Sequence, residues 1–222
     1  MVSRIGKSVF VASLIMILAA SLATAQTKNK DKAPPKGDQP QLPPGVSAED
    51  MQAMMVAATP GKEHAMLASR AGSWQGTSTM WMGPDAPPIK SACSCTITPI
   101  FDNRFVKIEV KGDMGGMAFN GLGYSGFDNV SKKYVSTWLD NMGTGMMTGT
   151  GEASDNGKKL TWTYTMNCPI QKKPITMRQI ENYPDANTMV LEAFGPDPKT
   201  GKEFKNMRIE FTKKATRGAA GR

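Results

Sequence analysis

The sequence predicts a mainly β protein, an antiparallel up-and-down barrel of about ten strands preceded by one or two short helices. Three observations support this fold class. From residue 74 onward, polar and apolar residues alternate with a period of two, which is typical of strands with one buried and one solvent-exposed face. Turn-forming residues recur roughly every ten to fifteen positions. Closure into a barrel would remove the exposed edges that so many consecutive antiparallel strands leave.

The predicted strands follow from this alternation, which is clearest where Leu160, Trp162, Tyr164 and Met166 are separated by threonines. Turn residues such as those of Asp155-Asn156-Gly157 separate the strands. A two-sheet sandwich is the alternative arrangement. The strands are predicted at residues 74–82, 90–98, 104–112, 116–125, 133–140, 145–152, 159–167, 174–182, 187–194 and 204–213.

Residues 1–25 have the order of a secretory signal peptide. Arg4 and Lys7 precede an apolar run from Val9 to Leu22, and small residues follow up to Ala25. The run is shorter than the ~20 apolar residues that span a bilayer. We therefore expect cleavage after Ala25, export to the periplasm or the medium, and no stable membrane anchor afterwards. A retained anchor is the alternative.

The remaining domain organisation follows from composition. Residues 26–46 are rich in Lys and Pro and nearly free of apolar side chains, which predicts a disordered linker. Residues 47–71 are predicted to be helical. Ser47 is the N-cap of a first helix, and a second helix starts at Pro60 with Thr59 as its cap. Residues 72–214 form the predicted β-barrel domain, and residues 215–222 are a basic tail.

The net charge of +8 does not predict a nucleic-acid-binding face. Between Gly72 and Thr212 there are 15 Lys and Arg residues against 14 Asp and Glu residues. The basic excess lies in the first 46 residues and in the tail, whereas nucleic-acid-binding domains concentrate it on one folded surface. We expect no nucleic-acid partner.

Two sequence motifs resemble known families. Gly72-Ser73-Trp74 at the start of the first predicted strand resembles the Gly-x-Trp motif of the calycins, the lipocalin and fatty-acid-binding-protein group. The run from Lys111 to Gly145, KGDMGGMAFNGLGYSGFDNVSKKYVSTWLDNMGTG, resembles the signature of a bacterial family of exported or cytosolic proteins that is described only as a domain of unknown function. This resemblance implies a calycin-like barrel and brings no established reaction or cofactor. It also implies that a late basic residue, Arg208 or Lys213, stacks on Trp74.

A barrel of this size can enclose one small ligand, lined by the inward side chains of successive strands. The alternative is that these side chains fill the interior. Asp140 and Asn141, the polar pair among the candidates, are expected at the barrel mouth. A turn-capping role would explain these two residues equally well. The candidate ligand-binding residues are Trp74, Phe119, Trp138, Asp140, Asn141, Trp162 and Met177.

Few side chains could support other chemistry. His64 is the only histidine and lies on a predicted helix, where we expect it at the surface, so neither a multi-histidine metal site nor a Ser-His-Asp site is predicted. A haem-binding barrel of the nitrobindin kind would need His64 to swing into the cavity. Cys93 and Cys95 share one face of a strand, near Met80 or Met82 if the first hairpin pairs in register, and Cys168 lies on a distant strand. We expect three free thiols.

The sequence therefore predicts an exported barrel that binds a small apolar or amphipathic molecule. No catalytic residue, cofactor or metal site is assigned. Two alternatives stay open: an enzyme with a polar site at the barrel mouth, and a Cu(I)-binding protein that uses cysteine and methionine sulfur.

Overall fold

The computed structural model describes residues 44–215 and shows a closed antiparallel barrel of ten strands preceded by two short helices. The predicted signal peptide, linker residues 26–43 and tail residues 216–222 lie outside the described residues. The elements are α1 (Ala48–Ala58), α2 (Lys62–Ser69), β1 (Gly72–Met80), β2 (Ile89–Ile100), β3 (Phe105–Met114), β4 (Met117–Asp128), β5 (Lys133–Asp140), β6 (Met147–Ser154), β7 (Lys159–Cys168), β8 (Lys173–Asp185), β9 (Thr188–Pro196) and β10 (Glu203–Lys213).

Every strand pairs with its neighbours in sequence, and β1 also pairs with β10, so the sheet has no free edge. The ten predicted strands are therefore confirmed, with ends shifted by a few residues. β1 begins two residues before the predicted start and ends at Met80, after which the Trp81 amide donates a hydrogen bond to the Asn206 carbonyl. Up-and-down connectivity places alternate loops at opposite ends of the barrel, which we call the closed end and the mouth.

The helices lie at the closed end, where β1 begins. α1 begins with the predicted Ser47 cap, whose hydroxyl accepts a hydrogen bond from the Asp50 amide. The predicted start of α2 is wrong by two residues: Thr59 donates its hydroxyl to the Met55 carbonyl at the end of α1, and Gly61 is the N-cap of α2. Leu67 of α2 is buried in the barrel core.

The core is concentrated at the closed end. Trp74, Leu160 and Trp162 are the largest fully buried side chains, and Tyr134 and Phe211 pack with them. The indole N–H of Trp74 donates to the Arg70 carbonyl at the end of α2, which joins the helix to the first strand. This cluster forms the floor of the barrel. None of the helices within residues 44–215 is long and apolar enough to cross a membrane.

Candidate functional site

The candidate site is the barrel interior between the floor and the mouth. Strand register determines which side chains face it, because successive residues of a strand point to opposite faces. On β2 these are Cys93 and Cys95, and on β8 they are Met177, Gln179 and Glu181. These five residues are followed around the wall by apolar ones that keep partial solvent exposure: Ile108, Val110, Met147, Leu191 and Met207. The interior is filled at the floor and solvent-accessible above it.

Glycines opposite aromatic residues explain this space. Gly151 lies opposite Trp162, and a Cβ atom at Gly151 would come within 2.6 Å of the indole ring. Gly149 lies opposite Tyr164 in the same way, at 2.5 Å. Gly121 lies opposite Asp140 and diagonal to Trp138, and a Cβ atom there would come within 2.2 Å of the Trp138 ring. Each ring therefore lies flat against the neighbouring strand, as expected when an aromatic residue covers a cross-strand glycine. Rings that lie flat on the wall take up less of the barrel's centre than rings that point inward would.

One polar group of the interior is a chain of hydroxyls. The Tyr164 hydroxyl donates to the Ser136 oxygen over 3.0 Å, and the two hydroxyl oxygens of Ser125 and Ser136 are also 3.0 Å apart. Burial raises the pKa of Tyr164, and the charge of Glu181 raises it further. Tyr164 is therefore a neutral hydrogen-bonding group at physiological pH.

A second polar group surrounds Glu181 near the closed end. Its carboxylate accepts hydrogen bonds from the Gln179 amide at 2.9 Å, the Tyr183 hydroxyl at 3.1 Å and the Arg70 guanidinium at 3.4 Å. The Arg70 guanidinium also donates to the Gly157 carbonyl and lies 3.8 Å from the centre of the Tyr183 ring. Arg70 is buried and Glu181 is 13% exposed, and the two charges compensate each other.

Trp162 is the exception among these satisfied polar groups. Its side chain is 1% exposed, between Tyr134 and Tyr164. Its indole N–H is the one buried side-chain polar group within the described residues that has no hydrogen-bond partner. Such groups are rare because leaving a buried donor unpaired costs about 1 to 3 kcal/mol.

The sequence-predicted site residues fall into separate groups. Trp74 and Trp162 belong to the floor, and Met177 lines the wall above Gly195. Phe119 and Trp138 stack near the mouth with ring centres 6.5 Å apart.

The predicted polar pair acts as a turn cap. Asp140 accepts the Trp138 indole N–H and the Met142 amide, while Asn141 bridges to the start of β4 by bonds to Asn120 and Ala118. All of these bonds hold the turn together.

The polar interior groups around Tyr164 and Glu181 were not among the predicted site residues. The pairing of β7 with β8 would have identified these residues, since Tyr164 and Glu181 lie on the same inward face as Trp162 and Met177. Arg70 could not be found in this way, because it lies outside the strands and reaches Glu181 only through the packing of α2.

The cysteine neighbourhood differs from the prediction. Cys93 lies opposite Gly76 and Cys95 opposite Trp74, so neither is next to Met80 or Met82; the hairpin loop is longer than the predicted one and shifts the register. Burial raises the pKa of Cys93 to about 11 and, with the charge of Glu181, that of Cys95 to about 12. Both are protonated thiols at neutral pH, which is unfavourable for nucleophilic chemistry.

Cys168 is at the mouth end of β7, five strands from β2 in either direction around the barrel. All three cysteines are free thiols. Within residues 44–215, no three His, Cys, Asp or Glu side chains are grouped as metal ligands would be.

The predicted surface position of His64 is wrong. His64 is 4% exposed, its Nδ1 accepts a hydrogen bond from the Gly61 amide, and its ring packs edge-on against Phe127. The side chain caps α2 in place of the missing side chain at Gly61. Of the two candidates for the basic residue on Trp74, Lys213 places its Nζ 5.2 Å from the ring centre. Arg208 instead pairs with Glu192 and Glu210.

Comparison with solved structures identifies similar folds. The crystal structure of Rv2717c from M. tuberculosis matches with a TM-score of 0.52 and 10% sequence identity, over 71% of this chain and 100% of that one. The S-type phycobiliprotein lyase CPES from Guillardia theta matches with a TM-score of 0.47 and 8% identity, over the same shares of the two chains. At this identity the likeness to Rv2717c concerns the fold alone. No curated protein matches the chain.

The family is shown by the sequence itself. A family model described as "Protein of unknown function (DUF1579)" matches residues 59–213, which include α2 and the whole barrel. This agrees with the resemblance of the run from Lys111 to Gly145 and with the calycin-like architecture. The chain belongs to the DUF1579 family.

Proposed function

We propose that this protein is an exported binding protein that holds one small amphipathic molecule inside its barrel. The proposal rests on one observation: the inward side chains above the packed floor keep partial solvent exposure. Rings that lie flat over Gly121 and Gly149 leave more room in the centre of the barrel for a ligand. Concave sites with mostly apolar linings and a few polar groups are typical of small-molecule binding.

Methionine side chains give the barrel lining a flexible apolar surface. Met80, Met147, Met177 and Met207 face the interior, and further methionines lie on the mouth loops. Methionine is unbranched and flexible, so it can repack around ligands of different shape. This arrangement gives a physical reason for these methionines, which are part of the 17 in the chain. It favours a ligand with a flexible or compact apolar body.

Export is part of the proposal and rests on the N-terminal sequence alone. The charged residues, the apolar run and the small residues before Gln26 occur in the order that a signal peptidase recognises. In that case the barrel would meet its ligand outside the cytoplasm. The mature protein would begin with the Lys/Pro-rich segment.

Fluorescence of N-phenyl-1-naphthylamine, a neutral probe that brightens in apolar surroundings, tests the binding site. Met177→Trp should block the cavity from one wall, because Met177 faces the interior. Thr176→Trp is the matched control, since Thr176 is the neighbouring residue and faces solvent. We expect saturable binding to the native protein and the control and loss of binding in Met177→Trp. Equal binding to both variants would place the probe outside the barrel and contradict the proposal.

A further inference from the structure

Exposed apolar side chains lie on the loops at the mouth of the barrel. Four of the five mouth loops carry them in the loop or directly beside it, and their exposed fractions run from 42% for Met142 to 75% for Met82. The five residues are Met82, Met117, Met142, Met146 and Ile170. Single exposed apolar residues are common, but a group of them at one end of a molecule indicates a surface that meets a partner.

Basic residues accompany them on one side of the mouth. Four lysines lie in or directly beside the β7–β8 loop and the adjacent β9–β10 loop: Lys172, Lys173, Lys199 and Lys202. None of the four forms a salt bridge with another described residue. The nearby carboxylates are already used, because Asp197 accepts hydrogen bonds within its own loop and Glu203 pairs with Arg178. This side of the mouth therefore presents unpaired positive charge between apolar loops.

The closed end has a different charge pattern. Val56, Phe101 and Val130 are exposed there as well. Acidic residues stand among the basic ones on α1 and on the neighbouring loops: Glu49, Asp50, Asp102 and Asp128. An anionic partner surface is therefore complementary to the mouth and not to the closed end.

We infer that the mouth loops dock reversibly on the surface of a bilayer that contains anionic phospholipids. Ile170 and the methionines enter the boundary between headgroups and acyl chains, and the lysines lie against the phosphates. The apolar residues are on separate loops, and methionine side chains are flexible, which suits a flat and deformable surface. The docking is peripheral and goes beyond the proposed function, since it uses the outside of the loops and holds whether or not the interior binds a ligand.

The chain contains a matched control for this surface, because two hairpin loops of the same length and shape lie at opposite ends of the barrel. They are the β7–β8 loop at the mouth and the β4–β5 loop at the closed end. Each ends in a lysine with positive φ, 51° for Lys172 and 56° for Lys132. The amide of that lysine donates to the carbonyl four residues earlier over 2.8 Å in both loops. Two residues before each lysine is an exposed apolar side chain, Ile170 at 72% and Val130 at 76%.

Co-sedimentation with phosphatidylcholine vesicles, with and without an equal part of phosphatidylglycerol, tests the docking. We expect the native protein to bind the mixed vesicles and to bind pure phosphatidylcholine more weakly. A basic residue near an anionic surface adds about 5-fold in affinity, so the charge reversal Lys172→Glu should cost about 25-fold. Ile170→Glu should cost more than about 5-fold, because it adds one negative charge and also removes an apolar contact. Val130→Glu and Lys132→Glu should bind like the native protein, since at ~0.1 M salt charge is screened beyond about 10 Å.

The four variants share residues 1–43, so any contribution of that segment to vesicle binding is common to all of them. Melting temperatures close to that of the native protein, as expected for exposed positions, show that each variant is folded. Native protein that stays in solution with the mixed vesicles would overturn the inference, and so would equal binding to both kinds of vesicle. Closed-end variants that lose as much binding as the mouth variants would also overturn it. A second copy of the chain is the other possible occupant, and a dimer in sedimentation velocity that Ile170→Glu abolishes, without vesicle binding, would replace the bilayer by that partner.

Discussion

Gly151→Ala is the most informative single substitution for the packing of the barrel. The added Cβ atom would lie 2.6 Å from Cε3 and 2.9 Å from Cδ2 and Cζ3 of the Trp162 ring. Favourable carbon–carbon contacts are about 3.5 to 4.0 Å, so the ring or the strand would have to move by roughly 1 Å. Trp162 is buried between Tyr134 and Tyr164 and has little room for this shift.

The expected loss of stability follows from overpacking. Inserting a methyl group into a packed core typically costs about 1 to 3 kcal/mol. At roughly 2 to 4 °C per kcal/mol for a protein of this size, the melting temperature of Gly151→Ala should fall by about 2 to 12 °C. Thermal unfolding followed by circular dichroism measures this shift.

Gly143→Ala is the matched control, because a Cβ atom there meets nothing within 4 Å and the residue lies in a mouth loop. Its melting temperature should stay close to that of the native protein, within the ~0.5 kcal/mol typical of surface substitutions. A Gly151→Ala protein as stable as Gly143→Ala would show that the Trp162 ring does not press on β6. The explanation of the open interior would then fail.

The other predictions concern stability, thiol chemistry, export and ligand retention. Trp74→Ala should lose about 3 to 5 kcal/mol, a large part of a typical stability of roughly 5 to 15 kcal/mol; an unchanged urea midpoint would contradict its position in the floor. The pKa values of Cys93 and Cys95 are raised from 9.0 to about 11 and about 12, so these thiols ionise at lower pH in the unfolded chain than in the folded protein. Their contribution to stability is therefore complete below pH 9 and is lost as the pH rises through the two folded-state values. Alanine variants of both should flatten the alkaline limb of the stability profile, and an unaltered limb would argue against the buried thiols. Intact-mass analysis of the exported protein should show cleavage after Ala25, and a membrane fraction that retains the first 25 residues would refute the signal peptide. Native mass spectrometry of protein from its own host should show a non-covalent adduct of a small amphipathic molecule; an adduct that remains bound to the unfolded chain would not be a barrel ligand.

Much of the fold could be predicted from the sequence because strand periodicity and turn chemistry are local. The alternation from Leu160 to Met166 identified β7 and its inward face, and the ten strands in sequence order left closure as the simplest topology. The position of His64 could not be read in this way. Its burial depends on how α2 packs against the barrel, and on a cap needed because Gly61 has no side chain.

The candidate site was only partly accessible to sequence reasoning. The aromatic residues of the wall were identified, but their orientation depends on the cross-strand glycines and therefore on register. The Cys93 neighbourhood was mispredicted for the same reason, since the longer loop between β1 and β2 changes its partner. The buried pair of Arg70 and Glu181 connects residues 111 positions apart in the chain, a distance over which periodicity carries no information.

The indole N–H resonances of the four tryptophans test the central claim most directly. The tryptophans report on different parts of the barrel: Trp74 and Trp162 on the floor, Trp138 on the region near the mouth and Trp81 on the outer surface. In a titration of ¹⁵N-labelled protein with N-phenyl-1-naphthylamine, the Trp138 resonance should move furthest, while Trp81 stays in place. A titration that moves only Trp81, or that leaves all four resonances unchanged at saturating N-phenyl-1-naphthylamine, would contradict a ligand-binding interior.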